Sequence, residues 1–366
     1  VGSALFSPLT LRSLTIPHRG WVSPMCQYSC HPETGEGVPN DWHLMHLGSF
    51  AAGGAALIMS EAAAVNPVGR ISPLDAGLYS DEQAAAWERI VQFVHRHGAV
   101  DCRIGAQLAH AGRKASTYWP FAERSGSVPA DDGGWSTVGP TNQAYDGYAA
   151  PAAMSEEDIQ GVVSDFAAAA ARAVAVGFDT VEIHGAHGYL LHQFQSPLIN
   201  TRTDRWGGNE EGRNRLMLTV VEAVREVIPD SMPLLLRISA SDWADGGVEV
   251  GDSTRLARAA AERVVDLVDV SSGGAVAHQK IRAVPGYQAG FAEQVKRDAG
   301  VPTAAVGLLT SPTQVEDIVA NGRADAVFMA RAALRDPHWW LRAAYGLGYD
   351  LPWVPQYQRA VPRHGF

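Results

Sequence analysis

Eight short apolar runs, each bounded by turn residues and each followed by a stretch of helical periodicity, recur along this chain of 366 residues. They occupy positions 21–28, 55–65, 102–110, 180–187, 234–242, 267–273, 303–308 and 326–334. Most are continuously apolar, the pattern of parallel strands covered on both faces. Length alone would allow two domains, but closed α/β barrels often use this much chain in one piece. No linker interrupts the βα rhythm, and no GxGxxG follows any of the runs. An open doubly wound sheet of this size would normally show that fingerprint, so the pattern predicts one (β/α)8 TIM barrel over residues 1–366.

The intervening helices announce themselves by stripes such as Ile159, Val162, Val163, Phe166, Ala170, Ala173 and Val174, or Trp87, Ile90, Val91 and Val94. Ser80 with Gln83 reads as a capping box, and so does Ser311 with Pro312 and Gln314; Gly177 and Gly322 read as stops. One connection is long. Residues 116–153, after the third strand, are rich in Gly, Pro, Ser and aromatics, and a loop of that length predicts a lid or binding loop.

In such a barrel the chemistry sits where the βα loops converge, at the C-terminal ends of the strands. The eight ends carry Cys26 and Tyr28; Glu61-Ala62; Gln107 and His110; His184, His187 and Tyr189; Arg237; Ser271-Ser272-Gly273-Gly274; Gly307; and Ala330-Arg331. Polar residues or glycines at nearly every end favour a site there. The His184-Gly-Ala-His187 pair could hold a metal or be two loop histidines satisfied by backbone. HExxH is absent, the spacing falls at a strand end, and Glu182 should point elsewhere, so paired hydrogen-bond donors toward a carbonyl oxygen are the favoured reading. Gly273-Gly274, Gly307 and Ala330-Arg331 could be simple tight turns. In barrels, though, the loops after strands seven and eight frequently hold a phosphate through backbone N–H groups. Arg237 would bring a fixed positive charge to the mouth, or else form a buried ion pair with Asp242 or Glu61.

Composition narrows the function class. The net charge of −10 offers no basic footprint for nucleic acid, and no apolar segment is long enough to span a bilayer. Three cysteines, Cys26, Cys30 and Cys102, cannot all pair; read as reduced, and with no targeting segment visible, they suggest a cytoplasmic protein.

Long motifs in order then resemble those of the old yellow enzyme family, in its bacterial, thermophilic-like ene-reductase branch. They are Ser23-Pro24-Met25-Cys26-Gln27-Tyr28, Gln107-Leu108-Ala109-His110-Ala111-Gly112-Arg113-Lys114 and His184-Gly185-Ala186-His187-Gly188-Tyr189-Leu190. Arg202-Thr203-Asp204-Arg205-Trp206-Gly207-Gly208, Arg237-Ile238-Ser239-Ala240-Ser241-Asp242 and Gln356-Tyr357-Gln358-Arg359 continue the match nearly end to end.

The resemblance implies FMN across the mouth, touched by Ser23, Pro24, Met25, Cys26, Ala62, Gln107 and Arg237, with its phosphate at Gly307, Ala330 and Arg331. It implies a ping-pong reaction in which NADPH, or NADH, reduces the flavin and an enone is then reduced at its activated C=C bond. His184 and His187 would hold the enone oxygen, Tyr189 would protonate the α-carbon, Cys26 would tune the flavin potential and Tyr28 would line the substrate site. It further implies a homodimer, or a dimer-based oligomer, in which Arg359 reaches the partner's active site near Tyr28; the aromatic 351–366 segment would be the interface tail. The chain departs from the family at His18 and at Gly20-Trp21, in a longer 116–153 segment and in the extension 360–366. A phosphate-binding barrel isomerase or aldolase is the alternative, but it needs a catalytic Lys or Glu at a strand end, and only the off-strand Lys280 and Glu61 offer themselves. A non-catalytic FMN-binding protein is a third reading, opposed by His184, His187 and Tyr189. Multi-domain dienoyl reductases with an iron–sulfur segment are excluded by the scattered cysteines.

Overall fold

The computed structural model describes residues 2–362. Eight parallel strands close into a barrel: β1 Gly20–Val22, β2 Leu57–Ala64, β3 Arg103–Ala109, β4 Thr180–Gly185, β5 Leu234–Ser239, β6 Leu267–Ser271, β7 Thr303–Ala305 and β8 Ala326–Met329. β8 pairs with β1 through Val327 and Gly20, which shuts the ring. Each strand lies within or beside one of the eight apolar runs, but the strands are shorter. The run at 21–28 leaves the ladder after Val22 because Pro24 has no N–H to donate. The run at 326–334 turns after Met329 into a short helix, Arg331–Arg335.

The outer helices are α1 Asp41–Ala52, α2 Asp81–His97, α3 Glu156–Ala175, α4 Glu210–Val227, α5 Val250–Glu262, α6 Ala289–Ala299, α7 Pro312–Ala320 and α8 Trp339–Gly346. Ser80 and Gln83 form the expected reciprocal box at α2. At α7 they do not: the Ser311 hydroxyl bonds that of Thr313, and the Gln314 side chain accepts from the Thr310 N–H at 3.3 Å. Pro312 still opens the helix, since its missing N–H would be an orphan there anyway.

An antiparallel hairpin of Leu9–Leu11 and Leu14–Ile16, which the strand pattern did not reveal, plugs the N-terminal end of the barrel. Its Leu11 and Ile16 pack with Trp21, Leu57, Met59, Leu235, Leu267 and Phe328. Trp21 meets Phe328 edge-on at 5.3 Å between centroids, and its indole N–H donates to the His18 carbonyl. Gly20 beside it leaves room for Trp340, whose indole would lie 3.1 Å from an added Cβ. The bulky residue and the small one are therefore accommodated as a pair.

Residues 116–153 are folded rather than a bare loop, with two-residue strands Val138–Gly139 and Ala152–Ala153 paired in parallel. Two motif arginines fasten the segment. Arg113 donates to the carbonyls of Gln143, Ala144 and Ala275, and Arg202 to those of Pro140 and Met154. Among the described residues no helix is long and apolar enough to cross a membrane.

Candidate active site

Residues opposite one another in a parallel ladder share a face, so register decides what points into the barrel. Gln107 lies opposite Glu182, and Arg237 lies opposite both His184 and Asp269. The result is a buried polar layer across β3 to β6. The Gln107 amide donates to Glu182 Oε1 at 2.8 Å, and Arg237 Nε lies 3.0 Å from Asp269 Oδ2. Burial holds both carboxyls above their usual range, and the Arg237 guanidinium opposes that shift.

Two expectations are corrected here. Glu182 points into the barrel and anchors Gln107. The partner of Arg237 is Asp269, while Asp242 bonds His192 Nε2 at 2.7 Å and Glu61 turns away from the barrel. A register shift in β2 between Met59 and Ala62 accounts for Glu61. Its carboxyl accepts from the Gln27 N–H at 3.2 Å and lies 3.3 Å from His43 Nε2. It therefore braces the loop after β1 instead of facing the mouth. Lys280, the other residue an aldolase reading would need, is exposed.

Above the polar layer stand His184, His187 and Tyr189. The two imidazoles meet edge-on at 5.1 Å, and Tyr189 meets His184 edge-on at 5.1 Å. His187 adopts φ +60, rare for a side-chain-bearing residue, and Gly188 follows at φ +72. A Cβ at Gly188 would fall 2.0 Å from the Gly274 carbonyl oxygen, so only glycine lets the two loops meet. Surrounding bonds lock this turn. The His187 N–H donates to Ser239 Oγ at 2.9 Å, His192 Nδ1 accepts the Gly188 N–H at 2.8 Å, and Lys114 Nζ donates to the His187 and Gly274 carbonyls. Burial, helped by Arg237, lowers the pKa of both His184 and His187, so both rings are neutral at physiological pH.

The proton of His184 can be placed from its partner, and that of His187 follows the direction of its hydrogen bond with Ser271. His184 Nδ1 accepts the Ala186 N–H, which leaves the proton on Nε2. His187 Nε2 lies 2.7 Å from Ser271 Oγ; with that hydroxyl donating, Nδ1 carries the proton. Burial first, and Cys26 next, push the Tyr189 phenol upward, so it keeps its proton at neutral pH.

The β1 loop supplies the opposite wall. The Ser23 hydroxyl accepts from Arg237 at 3.3 Å, and Pro24, Met25 and Cys26 follow it. Burial and then Asp75 and Glu61 hold the Cys26 thiol protonated, and Cys26, Cys30 and Cys102 are all free. Ala62 closes this side in register with Gln107. Tyr28 sits at φ +50 with its phenol raised by burial and Cys26.

Beyond β7 and β8, Gly307 at φ +118 has no room for a Cβ, which would lie 2.6 Å from Gln288 Nε2 and 3.1 Å from the Tyr287 ring. Arg331, after Ala330, opens the short helix and acts electrostatically on Tyr287. Bare backbone and a cation thus meet at one end of the mouth, while the Gln107 amide and Arg237 guanidinium meet on its floor. This donor set fits a planar, polar-edged ring carrying a phosphate, the shape of FMN. Among the described residues no group of three or more His, Cys, Asp or Glu side chains is placed to hold a metal ion.

Arg359 is the sequence-derived site residue that does not join the mouth. It lies on the exposed turn Pro355–Ala360 and makes no hydrogen bond or ion pair with the mouth residues of its own chain. The last part of the tail, 363–366, lies outside the described residues. Sequence reasoning missed Asp269, Lys114, His192 and Tyr287; a pairing register for β5 and β6 would have found Asp269.

Comparison with known proteins identifies the family. The NADH:flavin oxidoreductase / NADH oxidase family matches residues 4–350. An NADPH dehydrogenase of Geobacillus sp. (strain WCH70) is 44% identical over 363 residues, covering 97% of this chain and 98% of that protein. The NADPH dehydrogenase of Bacillus subtilis (strain 168) is 42% identical over 356 residues, with 97% and 98% covered. Among solved structures, morphinone reductase in complex with tetrahydroNAD superimposes with a TM-score of 0.76 at 26% identity, covering 96% of this chain and 93% of that one. The chain belongs to the NADH:flavin oxidoreductase / NADH oxidase family, the old yellow enzymes, and is an FMN-dependent oxidoreductase of the ene-reductase type.

Proposed function

We propose that the chain reduces the activated C=C bond of α,β-unsaturated carbonyl compounds with NADPH as hydride donor, in two separate half-reactions at one mouth. The observation that carries this reading is the pair of neutral, rigidly held imidazoles of His184 and His187 beside the protonated Tyr189. Gln107 and Arg237 would hold FMN from the barrel floor, Ser23, Pro24, Met25, Cys26 and Ala62 would flank it, and Gly307, Ala330 and Arg331 would take its phosphate. FMN, when bound, would supply the redox chemistry that links oxidation of the reduced nicotinamide to hydride addition at the β-carbon of the enone.

The chain's own residues do the rest. His184 Nε2–H and His187 Nδ1–H donate to the enone oxygen and stabilise the charge that grows there. Because both rings are already neutral and fixed, neither must shed a proton or reorient as that charge develops. Tyr189 delivers its proton to the α-carbon. Arg237, paired with Asp269, would set a guanidinium beside the bound cofactor, where it would favour negative charge. Cys26 presents a neutral thiol to the cofactor, and Tyr28 walls the substrate.

Anaerobic NADPH oxidation is expected to depend on an enone such as 2-cyclohexenone, with cyclohexanone as product. NADPH oxidation that ignores the enone, or turnover to the allylic alcohol, would contradict the reading.

We further propose a homodimer. Trp42 and Met45 on α1 and Tyr357 in the tail are about half exposed, and the groove between α1 and the tail is lined by Leu44, Met45, Gly48, Phe93, Val354 and Tyr357. Apolar surface of that kind favours an interface, and from it Arg359 would enter the partner's mouth near Tyr28. Arg359→Ala should leave the oligomer intact by light scattering and weaken phenol binding about tenfold, in line with loss of one charged contact. An active monomer would exclude the arrangement.

A further inference from the structure

Under the 116–153 segment the mouth continues into a cavity of about 470 Å³, lined by Tyr28, Lys114, Trp119, Arg124, Tyr148 and Tyr189 among others. Lys114 Nζ directs two hydrogen bonds to carbonyl oxygens, His187 at 2.8 Å and Gly274 at 3.0 Å, and its ammonium lies over the rings of Tyr145 and Tyr189 at 4.9 and 5.1 Å. Among the described residues it has no carboxylate within ion-pair distance. Its neighbour Arg113 donates to backbone carbonyls in the same way, so the two adjacent cations share no counter-charge.

Burial and Arg113 together lower Lys114 to about 8, the mark of a cation without an anion. The phenols of Tyr28 and Tyr148, both raised by burial, have no hydrogen bond to another described residue. Arg124 is already paired with Asp132 at 2.8 Å, and Glu123, the acid on this wall, is exposed. Lys114 and the phenols of Tyr28 and Tyr148 are therefore donors left without an acidic partner, and the exposed Glu123 is the one carboxylate among the described residues that line the cavity.

We propose that this cavity is an oxyanion subsite, in which Lys114, with Tyr148, binds a carboxylate or phosphate on the part of the ligand that extends beyond the reacting group. The inference rests on the enone reading above and adds the ligand class. Two sources share that chemistry: a carboxylate on the tail of the enone, or a phosphate of the reduced nicotinamide. A charge-assisted hydrogen bond in a shielded site corresponds to about a tenfold to hundredfold difference in affinity.

The test compares matched ligands on the FMN-loaded enzyme. One pair is 4-oxocyclohex-2-ene-1-carboxylate and its methyl ester; the other is NADPH and 1-benzyl-1,4-dihydronicotinamide, which has no phosphate. Whatever Lys114→Met does through the His187 turn falls on both members of a pair, so the ratio of their kcat/KM values isolates the subsite. The acid-to-ester ratio should fall at least tenfold in Lys114→Met if the enone supplies the anion. The NADPH-to-benzyl ratio should fall instead if the nicotinamide does. Lys114→Arg should restore whichever ratio fell. On the unmodified enzyme, KM for the anionic member should rise with KCl while that of its neutral counterpart holds. Ratios unmoved by Lys114→Met in both pairs would overturn the subsite. Turnover of the ester tests the enone reading separately, so failure of one is distinguishable from failure of the other.

Discussion

Replacing His184 or His187 by alanine is expected to lower kcat/KM for enones by about a hundredfold or more, the usual consequence of removing a preorganised donor to a developing oxyanion. The same variants should lose affinity for phenols, which would use the same donors, and should keep FMN. The reason lies in the geometry. Both imidazoles face the mouth, whereas the groups fitted to hold flavin, Gln107 and Arg237, are anchored independently on Glu182 and Asp269. His187→Ala should not add a backbone defect, because its φ of +60 is supported by bonds to its own N–H and carbonyl that remain after truncation. Its backbone should therefore hold while the donor is lost. Titration with 4-hydroxybenzaldehyde, followed through the flavin spectrum, separates the outcomes. Loss of flavin with intact ligand affinity would show that the histidines serve the cofactor.

Tyr189→Phe should slow the half-reaction with enone by about a hundredfold, at the lower end of what a positioned proton donor contributes, and leave reduction by NADPH nearly unchanged. The substitution removes one oxygen and keeps the edge-on contact with His184 and the face beneath Lys114. Stopped-flow measurement of both half-reactions separates proton delivery from general damage to the site. Equal slowing of the two would assign Tyr189 a packing role.

The parts of this protein that were legible in sequence are those whose signal is local. Strands buried on both faces need continuous apolar runs, so all eight announced themselves, and rim residues follow strand ends, so His184, Tyr189 and Gly307 could be found by position. The parts that were not legible depend on partners far along the chain. In sequence Glu182 reads as a strand residue aimed elsewhere because an apolar run does not reveal which of its members faces the barrel axis; the Gln107 register decides that. Arg237 called for an acid, but choosing Asp269 over Asp242 or Glu61 required the alignment of β5 with β6. The hairpin at Leu9–Ile16 is too short to show a period, and it takes its stability from the barrel end it covers. At Ser311 the capping pattern was present but the hydroxyl found a nearer partner in Thr313. Arg359 lies beyond the reach of both sequence pattern and single-chain geometry, since its proposed partner is a second copy.

One flavin, held on Gln107 and Arg237, is proposed to exchange hydride with both nicotinamide and enone at the mouth defined by His184, His187 and Tyr189. Anaerobic absorption spectroscopy of the purified protein tests it most directly. One FMN per chain is expected, bleached by stoichiometric NADPH and restored to the oxidised spectrum by one equivalent of 2-cyclohexenone. A colourless protein that does not take up FMN, or a reduced flavin that the enone leaves bleached, would contradict it.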